Sequence, residues 1–153
     1  MITYRKADLN DLSALISLRL EFMKEAQNIT SEEQDKDLSI SLSDYFRSHM
    51  SDNQFIAYLA EDGDQIVGTS GLCFFSRPPS YKNTKGKAAY IMNMYTRPAY
   101  RGRGIAFCLF EKLLGEAKAL GYQNISLHAT KMGKPLYRKF GFQESADEMV
   151  LHL

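Results

Sequence analysis

Cysteine, excess charge and long apolar runs are all scarce in this chain, and each shortage excludes a class of protein. Only two cysteines occur, Cys73 and Cys108, and both lie among apolar residues. We expect free, buried thiols there rather than a metal site or a catalytic cysteine. A formal net charge of +1 argues against a protein that binds nucleic acid or an anionic membrane through bulk charge.

The chain also shows no signal peptide, no internal repeat and no interdomain linker. Together with the lack of a long apolar segment, this predicts a soluble, cytoplasmic protein. With 153 residues, of which 44% are hydrophobic and 24% charged, we expect one globular domain over residues 1–153.

What the chain does contain is a strand-turn-helix unit over residues 90–120. Residues 91–96 are apolar and aromatic, which is typical of a strand, and Pro98 ends it. Over residues 106–120 apolar side chains recur at three- and four-residue steps, which predicts an amphipathic helix. The turn between them contains Arg101-Gly102-Arg103-Gly104.

This turn has the chemistry of a phosphate-binding site. The first amides of a helix have no partners within the helix, and its dipole favours negative charge there. Both glycines allow a phosphate to approach the backbone, and both arginines add positive charge. A solvated basic turn is the alternative. Two other phosphate motifs do not fit, because Phe107 replaces the third glycine of the dinucleotide fingerprint and Thr69 replaces the lysine of a Walker A loop.

The turn and a later segment together resemble the GNAT superfamily of N-acetyltransferases. Its acyl-CoA signature, Arg/Gln-x-x-Gly-x-Gly/Ala, is matched by Arg101-Gly102-Arg103-Gly104-Ile105-Ala106. About a strand further on, residues 135–142 are similar to the family's Leu-Tyr-x-x-x-Gly-Phe element. The resemblance implies an α/β fold, a strongly twisted mixed β-sheet flanked by helices on both faces.

The hydrophobic pattern gives the expected order of elements as β-α-α-β-β-β-α-β-α-β. Strands are expected at residues 2–5, 55–60, 65–75, 91–96, 124–130 and 149–153. Helices are expected from the N-cap Asp8 to about Lys24, over residues 31–50 and 106–120, and from Pro135 to Gly141. The polar segments 28–37 and 77–86 are expected to flank the acceptor side.

The resemblance implies acetyl-CoA as co-substrate and no metal. It assigns the phosphates to the turn and the pantetheine arm to the edge of the central strand. The implied cofactor-binding residues are Met94, Tyr95, Thr96, Arg101, Gly102, Arg103, Gly104, Ile105 and Ala106. One preorganised N–H aimed at the thioester oxygen is worth about 3 kcal/mol.

Two catalytic candidates follow. The resemblance assigns to Tyr137 the protonation of the leaving thiolate, a transfer between a phenol of pKa about 10 and a thiol of about 8.5; a core aromatic is the alternative. Asn93 either hydrogen-bonds substrate or satisfies a strand irregularity, since Asn is depleted in strands. Tyr90 stands where some relatives carry a glutamate base, and His128 is a weaker base candidate.

The resulting hypothesis is an N-acetyltransferase that moves an acetyl group from acetyl-CoA to a primary amine, of a small molecule rather than a protein, within a ternary complex. The alternative is an acyl-CoA-binding sensor or partner module of the same fold without transferase chemistry. Besides the small-molecule amine, we expect neither a nucleic acid nor a membrane as a partner. A homodimer through the apolar residues 149–153 is a further hypothesis.

Overall fold

The computed structural model describes residues 1–27, 31–145 and 147–153. In these ranges one sheet is formed, in the order β1 (Ile2–Lys6), β2 (Phe55–Asp62), β3 (Gln65–Ser76), β4 (Lys87–Thr96) and β5 (Asn124–Leu127). Strands β1 to β4 pair antiparallel, and β5 pairs parallel with β4. The α-helices are α1 (Leu12–Gln27), α2 (Glu32–Ser51), α3 (Ile105–Ala119) and α4 (Lys134–Lys139). The predicted mixed sheet is confirmed.

Local capping explains where the first two helices begin. Asp8 accepts a hydrogen bond from the amide of Asn10, and Asp11 accepts one from the amide of Asp8, so a short 3-10 turn leads into α1. Ser31 caps α2, so the helix starts one residue after its predicted start at residue 31. The polar segment 28–37, expected to flank the acceptor side, is helical over residues 32–37, and residues 28–30 lie outside the described ranges.

Helices cover both faces of the sheet. On one face, Phe110 and Leu113 of α3 are fully buried against Ile91 of β4. On the other face, Leu15 of α1 and Phe46 of α2 are equally buried. Each buried side chain of this size contributes about 1.5 to 3 kcal/mol relative to exposure, so the two layers fix the helices against the sheet.

A bulge interrupts β4 in its middle. Tyr95 faces Thr69 and Met92 faces Gly71, so two residues of β4, Asn93 and Met94, oppose a single residue of β3. Asn93 has a φ of 57°, in the left-handed region that asparagine tolerates better than most residues. The bulge bends the strand and changes the direction of the side chains beyond it.

The predicted last strand is wrong. Residues 149–153 have no strand pairing, and their apolar side chains are 69% to 114% exposed. Strand β5 also ends at Leu127, three residues earlier than expected. With only four residues, β5 gives a following strand little edge to pair with. No helix in the described part of the chain is both long and apolar enough to cross a membrane.

Candidate active site

The site begins where β4 and β5 part. Their parallel pairing runs only from Ala88 with Asn124 to Ile91 with Leu127. Strand β4 continues to Thr96, so its last five residues have no strand partner on the β5 side. This leaves an open strand edge inside the protein, beside the N-terminus of α3.

The open edge forms one wall of a cavity of about 840 Å³. Most of the predicted site residues line this cavity: Asn93, Met94, Tyr95, Thr96, Arg101, Gly102, Gly104, Ile105, Ala106 and Tyr137. Arg103 is the exception. Its guanidinium lies 5.0 Å from the ring centre of Tyr100 and donates to the carbonyl of Ala99 at 3.3 Å, outside the cavity lining.

The glycine turn is shaped to admit a phosphate. Gly102 and Gly104 have φ values of 77° and 78°, and a Cβ on either would meet nothing within 4 Å. Gly104 is the N-cap of α3, and no side chain caps the helix. The first-turn amides of a fifteen-residue helix therefore face open space, which suits an anionic group.

Two arginines near the turn, Arg97 and Arg101, are paired with acids of α1. Arg97 contacts Glu21 at 2.8 Å, and Arg101 contacts Glu25 at the same distance. The Glu21 carboxylate raises the pKa of Arg97, mainly through their hydrogen bond. These pairs offset the local positive charge and hold α1 against β4 and the turn. A nucleic-acid interface through this turn is therefore disfavoured by local charge as well as by net charge.

The backbone at the end of β4 has its free groups on the cavity side. The amide of Arg97 donates to the carbonyl of Val67 on β3 at 2.9 Å. Because amide directions alternate along a strand, the amides of Thr96 and Met94 point away from β3, toward the open edge. The Thr96 carbonyl already accepts from Nε of Arg101 at 2.9 Å, so its amide is the group left for a ligand.

Tyr137 lies across the cavity on α4. Its ring packs against Phe110, with ring centres 5.1 Å apart, and its hydroxyl lies 3.2 Å from the position a Cβ on Gly133 would take. Burial raises the pKa of Tyr137, so the phenol keeps its proton at neutral pH. The side chain thus packs into the core and holds a protonated hydroxyl at the cavity wall.

Asn93 contributes to the same cavity from the bulge. It is 3% exposed, and its Oδ1 accepts a hydrogen bond from Nη1 of Arg19 at 2.8 Å. Its Nδ2 is buried and has no partner within the described residues. From the sequence, Asn93 could either hydrogen-bond a substrate or a water, or only satisfy a strand irregularity. Its left-handed φ and its place in the bulge show that it does form a strand irregularity.

One wall of the cavity comes from α1. From the sequence, Arg19, Glu21 and Glu25 could face either a substrate or water, and Arg19 and Glu25 do line the cavity. Phe22 and Ala26 line it beside them and were not foreseen. Arg19, Phe22 and Ala26 are three and four residues apart, which puts them on one face of the helix, and this spacing is the signal that could have identified the two apolar residues. Residues 77–86 were expected to flank the acceptor side and narrow its entrance. None of them lines the cavity, so they do not narrow it.

The described part of the chain contains no cluster of His, Cys, Asp and Glu side chains that could hold a metal ion. Cys73 and Cys108 are free, as predicted, and partly buried. The thiol of Cys73 donates to the sulfur of Met92 at 3.1 Å, and burial raises the pKa of Cys73. A protonated thiol packed in this way is a structural group rather than a nucleophile.

Comparison with known proteins identifies the family of this chain. Residues 17–142 match the acetyltransferase (GNAT) family. The chain is 31% identical over 113 residues to N-acetyltransferase 8B of Rattus norvegicus, which covers 72% of this chain and 49% of that protein. It is 30% identical over 93 residues to thialysine N-epsilon-acetyltransferase of Bos taurus, covering 59% of this chain and 52% of that protein.

A solved structure agrees over the whole chain. It is a predicted acetyltransferase of Clostridium acetobutylicum with acetyl-CoA, 37% identical, with a TM-score of 0.88, covering 99% of this chain and 96% of that one. This chain belongs to the GNAT family of acetyltransferases. It spans about half the length of the curated relatives it matches.

Proposed function

We propose that this chain is an N-acetyltransferase that moves the acetyl group of acetyl-CoA to the primary amine of a small molecule, with both substrates bound together. One observation carries the proposal. A single cavity joins the glycine turn, the open edge of β4 and the ring of Tyr137. The groups proposed to bind the phosphates, align the thioester and donate the proton therefore surround one cavity and can act on one bound ligand. The acetyl-CoA in the related Clostridium structure supports the choice of co-substrate.

The residues present fit acetyl-CoA. The open space in front of Gly102 and Gly104 would admit the pyrophosphate to the amides of α3. The amides of Met94 and Thr96 would pair with the pantetheine arm as an added strand would. Acetyl-CoA supplies an activated acetyl group on a thioester, and the protein aligns it with the amine.

Tyr137 is the proposed acid. When the amine nitrogen bonds to the acetyl carbon and the carbon–sulfur bond breaks, the sulfur needs a proton, which the Tyr137 hydroxyl donates. Its raised pKa keeps that proton available at neutral pH. Asn93 would act at the acceptor side, where it fixes the guanidinium of Arg19.

The size of the acceptor is inferred from two supports. One relative, the Bos taurus enzyme, is named for thialysine, a small amine. The acceptor wall of the cavity is formed by α1, whose Phe22 and Arg19 present compact, fixed groups rather than an open groove. We also infer a homodimer through residues 149–153. A cytoplasmic location stays a prediction.

The test is a screen of small amines for release of the CoA thiol, paired with a thermal shift in CoA alone. We expect turnover of at least one small amine, and about 2.7 kcal/mol of stabilisation at a hundredfold excess of CoA over its Kd. A clear shift without turnover of any amine would favour the acyl-CoA-binding module instead. No shift at millimolar CoA would rule out both functions.

A further inference from the structure

Arg19 is a cation facing the cavity from α1. Its Nη1 donates to Oδ1 of Asn93 at 2.8 Å, and its guanidinium carbon lies 5.8 Å from the ring centre of Phe22. The side chain is thus held on one side by an amide oxygen and rests on an aromatic face. The guanidinium has five N–H donors, and Asn93 accepts from only one nitrogen.

Arg19 differs from Arg97 and Arg101, the other two arginines that contact α1 or lie on it near the site, in having no acid beside it. Arg97 and Arg101 are each paired with a glutamate of α1 at 2.8 Å. Among the described residues, no carboxylate lies within salt-bridge distance of Arg19. α1 therefore provides counter-charges for the arginines of the β4 end and the turn but none for its own arginine.

The ionisable groups around Arg19 are neutral. They are Tyr45 of α2, Cys73 of β3 and Tyr90 of β4. Burial raises the pKa of all three, so each keeps its proton at pH 7. Burial also lowers the pKa of Arg19, which reflects a cation in a poorly solvated position without a balancing anion.

An uncompensated, partly buried cation beside a reaction site is costly unless a ligand balances it. The fork of a guanidinium matches the two oxygens of a carboxylate, and one singly charged carboxylate neutralises it. A phosphate monoester carries two negative charges, and one of them would have no cation beside Arg19 to balance it. The charge and the shape of the guanidinium therefore favour a carboxylate.

We propose that Arg19 binds a carboxylate of the acceptor, so that the substrates of this site are small molecules carrying both a primary amine and a carboxylate. The inference rests on the proposed acetyl transfer and adds the chemical class of the acceptor. Asn93 would then serve as a positioning residue that orients Arg19.

The test compares matched acceptors that differ only in the carboxylate. Suitable pairs are 6-aminohexanoate with its amide, β-alanine with its amide, and L-lysine with cadaverine. For at least one pair we expect wild-type kcat/KM to favour the acid by about tenfold or more, the value of a charged hydrogen-bonded pair. Arg19→Met should abolish that preference and leave CoA affinity unchanged, and Arg19→Lys should keep part of it.

Arg47→Met is the matched control, because Arg47 lies exposed on α2 and, within the described residues, donates only to Ser43 at 3.3 Å. Equal turnover of acid and amide in every pair by the wild type would overturn the role of Arg19 and leave acetyl transfer standing. If no amine is turned over, calorimetric titration of the CoA-bound protein with the same pairs still decides. Equal binding of acid and amide there overturns the inference, and tighter binding of the acid that Arg19→Met removes supports it.

A second, independent observation concerns the proton that the amine must lose. The hydroxyl of Tyr90 is hydrogen-bonded to Nδ1 of His128, and Nε2 of His128 is hydrogen-bonded to Glu148 at 2.6 Å. Tyr90 and His128 both line the cavity. The side chains of His128 and Glu148 are 67% and 62% exposed, so the outer end of this chain reaches solvent.

We infer that this hydrogen-bonded chain accepts the amine proton. The nitrogen passes a proton to the oxygen of Tyr90 as the Tyr90 hydroxyl passes its own to Nδ1 of His128. The imidazole, which carries its first proton on Nε2, becomes a cation balanced by Glu148 and then releases a proton to solvent. Burial raises the pKa of Tyr90, so its hydroxyl passes a proton on rather than losing one beforehand. This step also rests on the proposed transfer.

The test is kcat at saturating acceptor in variants of the hydrogen-bonded chain. The charged and ionisable groups that face Tyr90 and His128 are Arg19, Cys73 and Glu148. His128→Asn removes the ring that receives the proton from Tyr90, so kcat should fall by about 100-fold while CoA affinity and the acceptor KM are kept. Tyr90→Phe breaks the chain at its cavity end and should lower kcat to a similar extent.

Glu148→Gln removes the carboxylate that balances the charged imidazole, so kcat should fall by a smaller factor than in His128→Asn. His152→Asn, at an exposed histidine nearby in sequence, is the matched control and should keep the wild-type kcat. A wild-type kcat in His128→Asn would overturn the inference and leave acetyl transfer intact. If no amine is turned over, NMR of the His128 ring decides: the Nδ1 resonance must shift in Tyr90→Phe, and an unmoved resonance refutes the chain.

Discussion

Arg101 and Glu25 form an ion pair at 2.8 Å beside the glycine turn, and Nε of Arg101 also donates to the carbonyl of Thr96 at 2.9 Å. One side chain thus ties together α1, the end of β4 and the turn. The signature arginine was expected to supply positive charge to phosphates, but in this structure a glutamate already balances that charge.

The pair leads to a prediction for cofactor affinity. Glu25→Gln removes a negative charge from the cavity and releases Arg101 toward the phosphates, so CoA should bind more tightly. An exposed ion pair is worth about 0.2 to 1 kcal/mol, which corresponds to a gain of up to about fivefold. Calorimetry at low and high salt would measure it, and the gain should shrink as salt rises.

The control for this experiment is Glu33→Gln, which makes the same charge change at an exposed position of α2. It should leave CoA affinity unchanged. Weaker CoA binding in Glu25→Gln than in the wild type would show instead that the main role of Glu25 is to hold Arg101 and the turn in place.

A second prediction separates phosphate binding from backbone strain. Gly104→Val should weaken CoA binding by about 100-fold or more, because its side chain would fill the space in which a phosphate approaches the amides of α3. The left-handed φ of 78° adds about 1 to 2 kcal/mol of destabilisation. Equilibrium binding of CoA to the folded variant measures the first effect, and thermal unfolding measures the second.

Gly121→Val is the matched control, since Gly121 has a φ of 81°, ends α3 and has nothing within 4 Å of its Cβ position. It should lose similar stability and keep CoA affinity. Normal CoA binding by Gly104→Val would mean that the phosphates lie elsewhere.

A third prediction concerns Tyr137. Tyr137→Phe keeps the packing on Phe110 and removes only the hydroxyl, so CoA should bind within about twofold of wild type while kcat falls by about 100-fold. Burial raises the pKa of Tyr137, so its hydroxyl keeps its proton at pH values at which an ordinary tyrosine would lose it. The wild-type kcat should therefore not fall at high pH until the pH exceeds the ordinary pKa of a tyrosine. Tyr81→Phe, at a fully exposed tyrosine, is the control. A wild-type kcat in Tyr137→Phe would exclude Tyr137 as the acid.

Local patterns were enough to predict most of this fold. The glycine turn, the N-cap Asp8 and the stripe of α3 depend on interactions within a few residues, and each was found where the sequence indicated. The acceptor wall depends instead on how α1 docks against β4, which joins residues 74 apart, such as Arg19 and Asn93. No local pattern determines that docking. Composition likewise marked residues 149–153 as strand-like, but strand formation needs a partner edge that composition does not reveal.

The last prediction concerns these C-terminal residues, whose side chains at Met149, Val150, Leu151 and Leu153 are 95%, 69%, 79% and 114% exposed. Consecutive exposed apolar side chains favour burial against another chain. A second copy of the chain has the same segment, so the two C-terminal segments can pack against each other about a two-fold axis in a dimer. Light scattering during gel filtration at micromolar concentration should give twice 17.4 kDa. Leu151→Lys should shift the protein to monomer without lowering CoA affinity, and Lys85→Leu, a change at an exposed site outside residues 149–153, should not. A wild-type mass of 17.4 kDa at the highest soluble concentration would rule out the dimer.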